Sequence, residues 1–194
     1  YGYQEWPMPS YTLTYKVGEP LQFYCAKYAG VDPEDGAPMW YVPGTNETTK
    51  EYGDYLEQAT GYTRYAPHSG GFNVNARWKG LSVSADFSWV YGKYMLNNDR
   101  YFAENPVAFA GMNQSKRILK MWEKPGDKTD IPAFGHVMQF DTHLLEDASF
   151  MRLKNLTVSY ELPKNWLKRQ NVINAVRIYA NGRNLFTVTD YMGA

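Results

Sequence analysis

The sequence predicts an antiparallel all-β fold, and three observations lead to that prediction. Apolar and polar residues alternate along several segments, which is the period of a strand with two unlike faces. Aromatic residues make up 16% of the 194 residues, including 17 Tyr and 6 Trp, and aromatic side chains favour strands. Long helical patterns are absent, and the apolar runs are far shorter than the ~20 residues of a membrane-spanning helix.

The strongest local signal is a hairpin over residues 72–91. The alternation holds along Phe72–Trp78 and resumes along Leu81–Trp89. Lys79-Gly80, between them, supplies a glycine where a two-residue hairpin turn needs a positive φ. The second strand, from Leu81 to about Tyr91, has the ~9–11 residues that a tilted membrane strand requires.

A second hairpin is predicted over residues 151–188. The alternation appears along Asn155–Leu162, stops at Pro163 and returns along Val176–Asn181. Within Met151–Lys154 its phase inverts, so we expect the regular pattern of pairing to break there, as at a position where a strand leaves the bilayer.

Long polar segments precede and separate these hairpins. Residues 1–71 and 92–150 contain turn clusters such as Asp32–Gly36 and Lys124–Asp127. Loops longer than ~12–15 residues are uncommon in compact domains and are usually functional or disordered. Because outer-membrane barrels have short turns at one end and long loops at the other, both segments are predicted to be extracellular loops.

The two faces of the predicted hairpins differ in chemistry. In a membrane barrel the apolar face would contact lipid and the polar face would line the lumen. The residues expected to face lipid are Val74, Trp78, Leu81, Val83, Phe87, Trp89, Leu156, Val158, Tyr160, Val176 and Ile178. The charged residues expected to face the lumen are Arg77, Asp86, Glu161 and Arg177. Tryptophans near both ends of the first hairpin suit two aromatic girdles, which favours a barrel over a soluble sandwich with the same two faces.

Charge and cysteine content narrow the classes of function. Twenty basic and 20 acidic residues leave no net charge, so the electrostatic footprint of a nucleic-acid-binding protein is missing. A single cysteine, Cys25, excludes an intramolecular disulfide framework and is expected to be a small apolar filler.

We expect no catalytic residues, no metal site and no cofactor. A metal site needs three or four convergent ligands, and the three histidines are too scattered to provide them. The histidines expected on the surface are His68, His136 and His143. The acidic residues lack the spacing of a calcium loop. The carboxylates expected to be solvated are Asp127, Asp130 and Asp141.

Three aromatic residues of the long loops are the candidate substrate-binding residues: Trp40, Tyr41 and Trp122. A sugar or peptide could stack on them because each pairs a flat apolar face with a polar edge. Packing within the loops is the alternative.

Several stretches match the motifs of one family in the family's own order. Leu145–Tyr160, followed by Leu162-Pro163, matches the pattern LEDASFLRLKNLTLGY…LP. Val176–Thr187 resembles the strand RVYVSGQNLFT, and Val17–Leu21 with Tyr28–Gly36 resembles the segment GEPLG…YKYAGVDPETG. The chain thus resembles the SusC/RagA-like TonB-dependent transporters of Bacteroidota.

The resemblance implies a plugged barrel of about 22 strands in the cell outer membrane. This chain would be a partial, C-terminal part of it: an incomplete antiparallel transmembrane β-barrel with roughly four long strands, in residues 72–91 and 151–188, and long extracellular loops. The plug domain and the TonB-box are not recognised in these 194 residues. The resemblance further implies import of oligosaccharides or peptides, energy from TonB through the missing N-terminal part, contact with outer-membrane lipid and a SusD-like surface lipoprotein as partner.

Two other interpretations of the sequence remain possible. The main alternative is a secreted, soluble β-sandwich that binds carbohydrate, with the apolar face turned to a core. A weaker one is a fragment of a glycan-degrading enzyme.

Overall fold

The computed structural model describes residues 6–8, 13–15, 17–167 and 173–192, and they form two compact units. The sheet unit comprises Ala66–Gly92 and the described residues of Ala148–Met192, and the loop unit comprises the described residues of 1–65 with Lys93–Asp147. The strands are β1 (Trp6–Met8), β2 (Leu13–Tyr15), β3 (Gln22–Ala26), β4 (Tyr28–Val31), β5 (Pro38–Tyr41), β6 (Thr48–Thr49), β7 (Glu57–Ala59), β8 (His68–Trp78), β9 (Leu81–Tyr91), β10 (Tyr94–Leu96), β11 (Leu145–Asp147), β12 (Phe150–Glu161) and β13 (Arg177–Thr189). The helices are α1 (Asn98–Ala103) and α2 (Lys164–Leu167), with 3-10 turns at Asp54–Leu56, Lys116–Lys120 and Thr142–Leu144.

The sheet unit is one antiparallel sheet with the strand order β13-β12-β9-β8. Its strands have 11 to 13 residues, whereas strands of soluble proteins usually have about 5–6. Strand length and antiparallel pairing agree with the predicted all-β fold, which is confirmed.

The hairpin over residues 72–91 is present and longer than expected. Strand β8 begins at His68 rather than at Phe72, and its pairing with β9 runs without interruption from His68 opposite Tyr91 to Trp78 opposite Leu81. Lys79 and Gly80 both have positive φ, 46° and 91°. That is the backbone of the two-residue turn that matches the twist of the flanking strands.

The second hairpin is longer than its alternation predicted, because both strands contain bulges. Between Leu153 and Asn155, β12 has one residue more than β9, and β13 has one more than β12 in the stretch opposite. Asn184, in that stretch, has a φ of 49°, a conformation that asparagine tolerates better than most residues.

The expected irregularity in Met151–Lys154 is therefore present, but it is a bulge within a continuous strand and not the end of the strand. Lys154 is the additional residue, so Leu153 pairs with Phe87 and Met151 with Trp89. Side chains of paired residues lie on the same face, so the bulge brings both apolar residues back to the apolar side.

The loop unit is more ordered than a pair of long loops. It contains three small antiparallel sheets, β1-β2-β3-β7, β4-β5-β6 and β10-β11. Ala26, Trp40 and Leu56 form a buried cluster, with Tyr28, Val42 and Tyr52 packed against it. This core explains the order, because burying apolar side chains offsets the conformational entropy that a long loop loses.

None of the helices in the described ranges is long and apolar enough to cross a membrane.

Deleting Lys154 tests the role of the bulge. Without the additional residue, Met151 and Leu153 would move to the polar face, because a shift of one residue inverts a strand's two faces. We expect the deletion in the full-length protein to abolish its assembly in the outer membrane, measured by heat-modifiable migration in gels. Lys154→Ala keeps the residue count and is expected to assemble normally; equal assembly of the two variants would contradict the assignment.

Candidate functional site

The apolar side of the sheet is continuous across all four strands. The pairing places on it Gly70, Phe72, Val74, Ala76 and Trp78 of β8, Leu81, Val83, Ala85, Phe87 and Trp89 of β9, Met151, Leu153, Leu156, Val158 and Tyr160 of β12, and Ile178, Ala180, Gly182, Phe186 and Val188 of β13. Many of these side chains are exposed, including Trp78 at 68%, Ile178 at 62% and Val74 at 51%. A continuous surface across four strands without charged side chains is larger than the apolar patches that soluble monomers usually expose.

The residues predicted to face lipid lie on this side wherever they are within a strand. Val83 and Phe87 are half-buried among their neighbours in the sheet, and Val158 is 37% exposed. Val176 differs because it precedes β13, and its carbonyl oxygen accepts a hydrogen bond from the Leu162 N–H at 3.0 Å.

The polar side of the sheet contains all four charged residues predicted to face a lumen. The guanidinium of Arg77 pairs with the Glu161 carboxylate at 2.7 Å, and Arg177 donates to the Ser159 hydroxyl at 2.8 Å. The carboxylate of Asp86 accepts hydrogen bonds from two asparagine side chains. The contacts of Arg177 and Asp86 connect adjacent strands, whereas the Arg77–Glu161 pair extends from β8 to β12 across β9.

Aromatic residues lie at both ends of the apolar side. At the turn end, the ammonium group of Lys79 lies 4.8 Å from the centre of the Trp78 ring, which is a cation–π contact. Towards the opposite end, the ring of Trp89 covers Gly70, where a Cβ atom would come within 3.0 Å of the indole. Gly70 therefore lets the indole lie flat on the neighbouring strand.

A buried polar cluster holds the loop unit together. The indole N–H of Trp40 donates to Asp141 at 2.7 Å, and the backbone N–H of His143 donates to the other carboxylate oxygen at 2.8 Å. The imidazole of His143 stacks on Tyr28, with 4.7 Å between ring centres. Burial raises the pKa of the Asp141 carboxyl, while the two hydrogen bonds oppose that effect.

Arg100 extends this cluster to the helix α1. Its guanidinium bonds to Glu104 at 3.0 Å and to the His143 carbonyl at 2.8 Å, and it lies 3.6 Å from Glu146. A hydrogen bond with His143 and the nearby Arg117 hold the pKa of Asp130 below its usual range. Removing one member of such a buried network is costly because its partners are left unpaired.

Two expectations of surface exposure were therefore wrong. The side chain of His143 is only 9% exposed and Asp141 is 3% exposed. Their partners Tyr28 and Trp40 are about a hundred positions away in the sequence, and local spacing gave no signal of these contacts. His68 and His136 are exposed, as expected.

The three candidate substrate-binding aromatics have different environments. Trp40 is 3% exposed and belongs to the core of the loop unit, so it packs within the loops and is not available to a ligand. Trp122 is half-buried, its ring lies over Gly36 and its indole N–H donates to the Pro33 carbonyl at 3.2 Å. Tyr41 is 41% exposed and is the member of the three most available to a ligand.

Metal ligands do not converge in the described part of the chain, where no group of three or more His, Cys, Asp or Glu side chains could hold an ion.

These features define a structural class. Long antiparallel strands with one continuous apolar side and one polar side have the form of the wall of a membrane β-barrel, here as an incomplete barrel.

The comparisons with known proteins point to a particular family. No protein-family model matches the chain. The chain is 30% identical over 125 residues to TonB-dependent receptor P3 of Formosa agariphila, which covers 64% of the chain and 12% of that receptor. It is 22% identical over 130 residues to TonB-dependent receptor P39 of the same organism, again covering 64% of the chain and 12% of the receptor.

Solved structures of the RagAB peptide importer match nearly the whole chain. In the open-open state the identity is 44% and the TM-score 0.84, covering 98% of this chain and 21% of the matched one. A structure described as the RagAB peptide transporter gives 44% identity and a TM-score of 0.86, covering 98% and 22%. The resemblance to SusC/RagA-like TonB-dependent transporters is confirmed, and the chain spans about a fifth of the solved chains and 12% of the two receptors.

Replacing Trp40 by Phe tests the buried hydrogen bond of the loop unit. The change keeps an aromatic ring but leaves one oxygen of the buried Asp141 without its donor, a loss of about 1–3 kcal/mol. We expect faster amide hydrogen exchange in β4 and β5 than in the parent protein, with exchange in β8 and β9 unchanged. Trp122→Phe is the control, because it removes an indole N–H that donates to the exposed carbonyl of Pro33. Equal effects of the two variants would contradict this account.

The reactivity of Cys25 tests its burial. The thiol is 3% exposed, and burial raises its pKa to about 12, so it stays protonated at pH 8. We expect no alkylation by iodoacetamide at pH 8 in the folded protein and full alkylation after denaturation, measured by mass spectrometry. Rapid alkylation of the folded protein would show that β3 is not packed as described.

Proposed function

We propose that the full-length protein carrying this chain imports a nutrient across the outer membrane and is not an enzyme. The chain would supply part of the barrel wall and part of the extracellular rim. The observation that carries this proposal is the apolar side of the sheet, which is uninterrupted over four strands and largely exposed.

Lipid is the environment that this apolar side fits best. Acyl chains would remove the exposed apolar side chains from water, at about 25 cal/mol for each Å² of apolar surface. A soluble sandwich would bury the same residues in a core, but Trp78, Ile178 and Val74 remain more than half exposed. That exposure argues against the sandwich alternative.

The edges of the sheet support a larger barrel. Strands β8 and β13 are the two outer strands of the sheet, so each has one row of backbone groups without a strand partner in the described part of the chain. Within a bilayer such groups cost several kcal/mol each, and closure into a barrel is what satisfies them. Further strands of the full-length protein would pair with both edges.

Chain connectivity supports an extracellular location for the loop unit. The chain enters β8 at His68, leaves β9 at Tyr91 and enters β12 at Phe150, all at one end of the sheet, whereas the two-residue turn Lys79-Gly80 closes the opposite end. In outer-membrane barrels the short turns are periplasmic and the long loops extracellular.

Peptides are the favoured substrates, with oligosaccharides as the alternative. The matched solved structures are those of a peptide importer. The sequence identity of 44% over 98% of the chain is higher than that of proteins that share only a fold. The named relatives are receptors and importers rather than enzymes. A SusD-like lipoprotein over the extracellular loops and TonB acting through the N-terminal part complete the proposed importer.

Two neighbouring positions in the middle of β9 test the lipid contact. Val83 lies on the apolar side and Ser84 on the polar side. A cation at the bilayer midplane costs about 2–4 kcal/mol, so Val83→Arg should sharply reduce the amount of heat-modifiable protein in the outer membrane. Ser84→Arg, the matched control, should assemble at nearly the parent level and retain peptide uptake. Equal amounts of the two variants would refute the proposed orientation.

A further inference from the structure

The polar side of the sheet has an excess of positive charge. Within the four strands, its cations are Arg77, Arg152, Lys154, Arg177 and Arg183, and its carboxylates are Asp86 and Glu161. The cations therefore outnumber the carboxylates on this surface, although the whole chain has no net charge.

Both carboxylates are already engaged by other groups. Glu161 pairs with Arg77 at 2.7 Å. One oxygen of Asp86 accepts from the Asn73 amide, and the other accepts from Asn155 at 3.0 Å. Among the residues that the structure describes, Lys154 and Arg183 thus have no carboxylate partner.

Lys154 and Arg183 lie in one open recess on the polar side. The other residues around it include Asp86, Thr157, Tyr179 and Asn181. The amide of Asn181 is bound to Asn155 at 2.6 Å and to Thr157 at 2.7 Å, so the floor of the recess is held in place by hydrogen bonds.

The bulge and an exposed aromatic residue complete the recess. Lys154 is the additional residue of β12, and it contributes to the recess together with residues of β13. Tyr179 lines the same recess, is 71% exposed and offers an aromatic face to a solute there. A guanidinium binds a carboxylate with two parallel hydrogen bonds, and an ammonium adds a second positive charge.

We propose that Lys154 and Arg183 form a carboxylate-binding subsite on the polar side of the sheet, with Tyr179 contacting the apolar part of the same solute. The carboxylate would belong either to a peptide or to an acidic oligosaccharide. This inference rests on the proposed import function, because it treats the polar side as a surface that the solute passes.

Binding measurements on the purified full-length protein in detergent test the subsite. The probes are an acidic tetrapeptide and its fully amidated analogue, and a trimer of uronic acid and its neutral counterpart. The variant is Lys154→Gln combined with Arg183→Gln, and the control is Lys79→Gln, whose cation lies at the turn end over Trp78.

We expect the double variant to bind one acidic probe at least about tenfold more weakly, since hydrogen bonds to charged groups contribute about 1.5–3 kcal/mol. Binding of the neutral analogues should be unchanged, and the control should behave as the parent protein. The acidic probe that loses affinity identifies the source of the carboxylate.

Three results would overturn the subsite: the parent protein binds neither acidic probe, the double variant keeps its affinity for both, or it loses acidic and neutral probes equally. The last result would mean that the two cations contact another part of the protein. A failure of the proposed function is distinguishable, because the parent protein would then bind an acidic probe while cells expressing it import neither peptide nor oligosaccharide.

Discussion

The separation of apolar and polar side chains onto the two sides of one sheet is the constraint on which the rest of the structure depends. Strands have a period of two, so a single unmatched residue would place apolar side chains on the polar side. The described strands keep their apolar residues on one side over 11 to 13 residues. Where the sequence departs from strict alternation, the bulges at Lys154 and near Asn184 return the following apolar residues to that side. The apolar side remains continuous as a result.

The two units differ in how far their hydrogen-bonded polar side chains are buried. On the polar side of the sheet, amides and charged groups bond across strands while much of their surface stays accessible, as with Arg77 and Glu161. In the loop unit, Arg100, Glu104 and Asp141 are buried, and each is held by several partners. Buried charges add little net stability, but breaking such a network is expensive, which favours one defined loop conformation.

Most of the sheet could be predicted from the sequence because its signals are local. Alternation along Leu81–Trp89 and the glycine of Lys79-Gly80 specify a hairpin without knowledge of anything distant. The bulge could not be distinguished from the end of a strand, because both produce the same inversion of the apolar and polar alternation in the sequence. Only the register against β9 distinguishes the two cases.

The loop unit was far less predictable. Its core joins Ala26, Trp40 and Leu56, and its polar cluster joins Trp40 to Asp141, a separation of 101 residues. Polar, turn-rich segments have no periodicity from which such contacts could be inferred, so His143 and Asp141 were expected at the surface. The recess of Lys154 and Arg183 was missed for a related reason, since Lys154 lines it as the additional residue of a bulge that local alternation does not reveal.

Spin-label accessibility along β12 tests the central claim most directly. Nitroxide side chains would be placed one at a time at residues 155–160 of the full-length protein in lipid vesicles, and collisions with oxygen and with a water-soluble nickel chelate would be measured. If the apolar side contacts lipid, collisions with oxygen will be most frequent at Leu156, Val158 and Tyr160, and collisions with the chelate at Asn155, Thr157 and Ser159. Low accessibility to both reagents at Leu156, Val158 and Tyr160 would place a layer of protein over the apolar side and would contradict the account.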